Sequence, residues 1–198
     1  MKNEKKFQTE TLAVGALMTA LVAVLQLVGS FIRFGPFSVS LVLVPIVIGA
    51  SLCGWKIGAW LGFVFGVTVL LSGDAAAFLA VSVPGTVATV LLKGILCGAA
   101  AGAVYKLLER KHRYPAVVLS AIICPIVNTV VFFIGCALFF MDTLAGWASS
   151  MGFGDNVVRY MLLGLAGGNF LFEMGANIIL SPIVVRILDI VNRKKADA

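Results

Sequence analysis

Three of the later apolar runs in the sequence carry polar side chains at helical spacing. Thr86, Thr89 and Lys93 stand three and four residues apart, and Asn169, Glu173 and Asn177 stand four apart. In a helix these offsets place each set on one face. Between them, Asn128 and Thr129 follow Cys124-Pro125, where the proline leaves a backbone carbonyl without its helical donor. An ammonium group pairs with a carboxylate or a carbonyl, and amides add directional hydrogen bonds. Lys93 and Glu173, opposite in sign, therefore allow two arrangements. One is a buried ion pair that ties two helices together. The other is a polar pocket for a small solute, with Lys93, Thr89, Asn128, Asn169, Glu173 and Asn177 as its binding residues. One ion pair has no use for so many amides, which favours the pocket. Phe78, Phe132, Phe133, Phe170 and Phe172 fall near the same depth. Most are expected to pack or face lipid, with one or two left to cover a ring or alkyl chain of the solute.

The elements that must hold these groups are membrane spans. Of the 198 residues, 61% are hydrophobic and only 12% charged, and the mean hydropathy is +1.07. A soluble domain carries about twice that charge fraction. An ionisable side chain inside such a run is costly and faces a cavity or a partner rather than lipid.

The apolar pattern predicts an all-α integral membrane protein, a single domain of six transmembrane helices at about 11–32, 38–54, 57–72, 84–108, 115–140 and 158–190. The second and third spans are short and separated only by Gly54-Trp55-Lys56, which also fits a re-entrant hairpin. Lys56 speaks against that, since a hairpin tip would put its charge at membrane depth. With the N-terminus inside, twelve of the fifteen Lys and Arg lie on the cytoplasmic side, Arg33 and Arg159 lie outside, and Lys93 sits within a span. This asymmetry predicts that both termini of a multi-pass membrane protein are cytoplasmic. The outer connections Phe34–Phe37, Ser72–Val83 and Met141–Val157 are expected to be loops, the last two long enough to fold over a site.

Several chemistries are excluded. No G-x-x-x-x-G-K-[ST] loop or H-E-x-x-H pair occurs. The lone His112 lies in a basic stretch, and Ser181 is the only hydroxyl near Glu173, so neither an enzyme nor a metal or cofactor site is expected. The net charge of +6 sits at the ends of apolar runs and forms no separate basic face for nucleic acid. Cys53, Cys97, Cys124 and Cys136 read as apolar filler. A stand-alone carrier or channel is the alternative function, but the chain is short for inverted repeats and shows none.

Two glycine rows, Gly58/Gly62/Gly66 and Gly94/Gly98/Gly102, are expected to pack helices within the chain. Ala13, Ala16, Ala20 and Ala23 form a smooth strip on the first helix. Either a neighbouring helix or a partner protein fits such a strip.

The Ala16-x-x-x-Ala20 strip, the short second and third spans and two segments together carry a family resemblance. The segments are Pro45-Ile-Val-Ile-Gly-Ala-Ser-Leu-Cys-Gly-Trp-Lys-Ile-Gly-Ala-Trp-Leu-Gly-Phe-Val-Phe-Gly66 and Asn177-Ile-Ile-Leu-Ser-Pro-Ile-Val-Val-Arg186. The chain resembles, over nearly its whole length, the substrate-binding S-component of an energy-coupling factor (ECF) vitamin transporter. That resemblance implies a high-affinity subunit that takes a water-soluble vitamin from outside, docks on a membrane T-component with two cytoplasmic ATPases, and topples to deliver it. It implies that Ala16 and Ala20, and by helical face Ala13 and Ala23, form the docking surface. It places the ligand under the outer loops among the last three helices, the region of Lys93, Asn128, Asn169 and Glu173. Pantothenate and riboflavin-like ligands lead. Lys93 suits the pantothenate acid, and the sixth helix lacks the lysine one turn from an asparagine that riboflavin-binding relatives tend to carry.

Overall fold

The structure is a computed structural model and describes residues 2–31, 33–34, 37–38, 41–110, 112–165 and 167–196. Helix α1 covers Lys2–Gly29. A small antiparallel ribbon follows, β1 (Arg33–Phe34) with β2 (Phe37–Ser38), Arg33 opposite Ser38. Helix α2 is Leu43–Cys53 and α3 is Trp55–Ser72. After the short α4 (Ala76–Leu79) come α5 (Val83–Leu108) and α6 (Arg113–Phe139). Then follow α7 (Met141–Ser150), α8 (Val157–Arg159), a π-helical segment Tyr160–Leu165 and α9 (Gly167–Ala196).

Five helices are long and apolar enough to cross a membrane: Thr11–Gly29 within α1, α3, α5, α6, and Gly167–Ile190 within α9. The second predicted span, 38–54, is shorter as a helix: Ser38 belongs to β2, and among the described residues Leu43–Cys53 is helical. Eleven residues reach about 16 Å, against a hydrocarbon core of about 30 Å. Helix α2 is a core element that touches α1, α3, α5, α6 and α9. Its unbroken apolar run, with Leu43 to Ala50 buried apart from the half-buried Val44, suits a helix surrounded by protein on nearly every side. The predicted sixth span, 158–190, is also divided, since its first turns are α8 and the π-helical segment. Two of the expected loops hold helices. In α7, Leu144 and Ala148, one turn apart, are buried while Met141, Asp142 and Ser149 are exposed, the pattern of a helix lying on a surface.

Local chemistry sets the ends. Ser82 caps α5, its Oγ accepting from Gly85 N at 3.3 Å, with Pro84 in the first turn. Gly73 ends α3 with φ +83°, a left-handed cap that other residues adopt reluctantly.

The glycine rows pack within the chain, as the sequence implied. Helices α3 and α5 run antiparallel, and a Cβ on Gly58 or Gly62 would collide with the carbonyl of Gly98 or Gly94 respectively. Gly102 lies against the backbone of Trp55. One main core joins α1, α2, α3, α5 and α6 around Ile46, Leu61, Phe65, Cys97 and Cys124. A second cluster, largely aromatic, sits at the end of the bundle that carries α4 and α7. A third, with Tyr105, Val117 and Leu188, fills the opposite end. There Arg113 Nη1 lies 3.4 Å from Asp189 Oδ1; both are half exposed, so the pair contributes little.

Candidate functional site

Helix α5 presents Thr86, Thr89 and Lys93 toward the interior. Thr86 is closed on its own helix, its Oγ1 donating to Ser82 O at 2.7 Å. Thr89 Oγ1 is buried with no partner. Its side chain lies against Gly135, where a Cβ would strike it, so the glycine brings α6 onto the polar face of α5. The Lys93 ammonium sits 5.5 Å from the centroid of Phe65 on α3 and 5.3 Å from that of Phe132 on α6. Lys93 remains partly open. Among the described residues no acid lies within 4.0 Å of it, so the ion pair with Glu173 that the sequence allowed is not formed.

Helix α9 resolves into two parts. Asn169 Nδ2 donates to Glu173 Oε1 at 3.1 Å, and Asn128 of α6 faces the same carboxylate. Lys93 is the cation whose charge acts on it. One turn further along α9 the polar groups are consumed locally. Asn177 Nδ2 donates to Glu173 O at 2.9 Å, and Ser181 Oγ donates to Asn177 O at 2.8 Å. Lys93, Asn128, Asn169 and Glu173 are thus brought together, and Thr89, one turn from Lys93 on α5, faces α6 at Gly135. The amide nitrogen of Asn177 is turned onto its own backbone.

Among the described residues, five buried side-chain oxygens lack a partner: Thr89 Oγ1, Asn128 Oδ1, Asn169 Oδ1, Glu173 Oε2 and Ser51 Oγ. Four of them belong to this one group on α5, α6 and α9. Native interiors leave few polar atoms unpaired, because each such atom costs about 1–3 kcal/mol. Such a concentration makes this group the candidate site.

Aromatic residues cover the group. Phe78 of α4 makes edge contacts with Phe132, Phe140 and Trp147, at centroid distances of 5.6, 5.1 and 5.5 Å. Phe132 therefore touches Lys93 and the cover together. Phe172 points away, 46% exposed. Sequence reasoning missed Phe65, which lies on a helix read only for its glycines. It also missed Gln26, buried in α1, whose Nε2 donates to Asp74 Oδ2 at 2.7 Å. The signal for Gln26 was present: an amide between Leu25 and Leu27 in a span stands out by the same rule that picked Asn128.

A groove of about 480 Å³ opens elsewhere, on the face shared by α1 and α3. Gly15, Ala16, Thr19, Ala20 and Ala23 line it with Ile57 and Trp60, and Trp60 Nε1 donates to Thr19 Oγ1 at 3.2 Å. Ala13 is exposed on α1 but does not line the groove.

A polar cluster under an aromatic cover lies inside a bundle of helices apolar and long enough to cross a membrane. Comparison with known proteins gives the class: the family model for the ECF transporter substrate-specific component matches residues 10–185. The chain belongs to that family and is a multi-pass membrane component of a transporter. It is similar to the pantothenic acid transporter PanT of Lactococcus lactis subsp. cremoris, with 28% identity over 201 residues, covering 93% of this chain and 96% of the relative. No solved structure matches the chain.

Proposed function

We propose that this chain is the high-affinity binding subunit of an ATP-driven ECF importer for a small water-soluble vitamin acid, with pantothenate the leading candidate. The observation that carries this reading is the set of unpartnered buried oxygens on Thr89, Asn128, Asn169 and Glu173 beside an unpaired Lys93. A bound solute with complementary groups removes the cost of leaving them unpaired. The relative named for pantothenic acid agrees in ligand class. Asn177 belongs to the same face and supports the floor of the site through the Glu173 backbone.

In this reading the α4 and α7 end faces outward, both termini are cytoplasmic, and α2 makes a sixth crossing of the cell membrane. Two contacts support an even number of crossings. Gln26 near the end of α1 meets Asp74 just after α3, while Cys53 Sγ at the end of α2 meets Thr11 O at 3.8 Å, near the start of the α1 span. Ala16, Ala20 and Ala23, in the groove, and Ala13 beside it receive the T-component, which two cytoplasmic ATPases serve.

Uptake and binding separate the parts. Pantothenate is expected to raise the unfolding temperature of the purified chain, as a tight ligand of the native state must. Ala20→Trp is expected to abolish uptake in the reconstituted complex while leaving pantothenate affinity within about twofold. Uptake by the chain alone, without partners or ATP, would overturn the importer reading in favour of a carrier.

A further inference from the structure

Resting on the binding reading above and deepening it, we propose that the site takes a ligand of fixed polarity. A single carboxylate meets Lys93, hydroxyl or amide N–H donors meet Asn128, Asn169 and Glu173, and a second anionic group is excluded.

The two ends of the site lack opposite things. Lys93 touches the faces of Phe65 and Phe132, at 5.5 and 5.3 Å. A ring face attracts a cation through its quadrupole but does not replace the acceptors that three N–H donors require. With no acid within 4.0 Å among the described residues, the missing partner is an anion. The water-poor surroundings strengthen that attraction. Thr89, one turn away on α5, has an unpartnered hydroxyl that can donate to the same carboxylate.

Toward α6 and α9 the deficit is reversed. Asn128 Oδ1, Asn169 Oδ1 and Glu173 Oε2 are all acceptors without donors. The orientation of Asn169 is fixed, because its Nδ2 is already used on Glu173 Oε1 at 3.1 Å. Turning the amide over would set two oxygens against each other. A ligand must bring donors here. A phosphate or second carboxylate would place its charge against the Glu173 carboxylate and two carbonyl dipoles, where a buried unpaired anion is very costly.

Four probes test the polarity by calorimetric titration in detergent. Pantothenate has one carboxylate, an amide N–H and two hydroxyls. Pantothenol replaces the carboxylate with an alcohol, N-(3,3-dimethylbutanoyl)-β-alanine lacks only the hydroxyls, and 4′-phosphopantothenate adds a second anion. Wild-type protein is expected to prefer pantothenate over each of the other three by at least about 100-fold. Lys93→Met should bring pantothenate and pantothenol within about threefold of each other, yet keep the preference for hydroxyls. Glu173→Gln should do the converse, with the carboxylate preference kept and the hydroxyl preference reduced. Lys93→Gln serves if the methionine variant fails to fold. Two variants that weaken every probe by a common factor overturn the polarity while leaving the site in place. Two variants that bind all four probes as wild type does remove the site itself. Wild-type protein that binds none of the probes, or pantothenol as tightly as pantothenate, also overturns the proposal.

Discussion

The contact of α3 with α5 and the meeting of α5 with α6 and α9 are built from the same helix by opposite rules. On its α3 side, α5 offers Gly94, Gly98 and Gly102, and backbone lies directly on backbone. On the adjoining face it offers Thr89 and Lys93, and α6 and α9 carry amides and a carboxylate that leave oxygens unpaired. In lipid, where no hydrophobic effect drives helices together, close small-residue contact holds a bundle. Such a contact lets the adjoining face of α5 carry unsatisfied groups. The difference lies in whether polar atoms find partners at home. Thr86, Ser181 and the Asn177 amide nitrogen bond to their own helices, whereas Thr89 Oγ1 and Glu173 Oε2 have no partner.

The largest effect should come from breaking the satisfied side. Gly62→Leu drives a side chain into the Gly94 carbonyl and should cost more than about 3 kcal/mol, enough to lose the folded monomer in detergent. Gly146→Ala, where nothing lies within 4 Å of the added carbon, is the control and should unfold at the wild-type temperature. Equal behaviour of the two would show that α3 and α5 are held by something other than the glycine contact.

Next in size is Glu173→Gln. It removes a buried charge and keeps an oxygen to accept from Asn169, so the ligand-free protein should gain about 1–3 kcal/mol of stability, read as a raised unfolding temperature. Pantothenate binding should weaken at the same time. Opposite signs for stability and affinity are what a site under functional constraint predicts. A lowered unfolding temperature of the free protein would make Glu173 a structural tie between α6 and α9 instead.

Periodicity made much of this legible. Four-residue spacing found both glycine rows and the polar stripe of α9, because a helix repeats its faces whatever it packs against. The ends of α5 and α6 follow from Ser82-Val-Pro84 and from the charged run before Arg113. Length was misread at α2, where hydropathy registers an apolar run but does not distinguish lipid from a surrounding shell of protein. Spacing also could not separate Asn177 from Glu173 in role, since both lie on one stripe and only the direction of a side chain decides whether it bonds its own backbone. Phe65 was hidden for a related reason: its contact with Lys93 is between helices, and a single sequence records nothing of which helix faces which.

The smallest expected effect is also the cleanest, since it compares two threonines one turn apart. Thr86 is 1% exposed and its hydroxyl is spent on Ser82 O, while Thr89 is 4% exposed and its hydroxyl is not spent. Valine has nearly the shape of threonine without the hydroxyl. Thr89→Val therefore removes an unpaired buried oxygen and should leave stability unchanged or slightly raised, while pantothenate affinity falls about 3–10-fold for one lost hydrogen bond. Thr86→Val removes a satisfied bond, should cost about 1 kcal/mol of stability, and should leave affinity alone because its hydroxyl never faced the ligand. Unfolding temperature and dissociation constant, measured for both variants, give four numbers in which the two threonines must exchange roles. If Thr86→Val lowers affinity as much as Thr89→Val does, the boundary between groups closed on their own helix and groups kept for a guest does not run between these two residues, and the polar face of α5 binds as a whole.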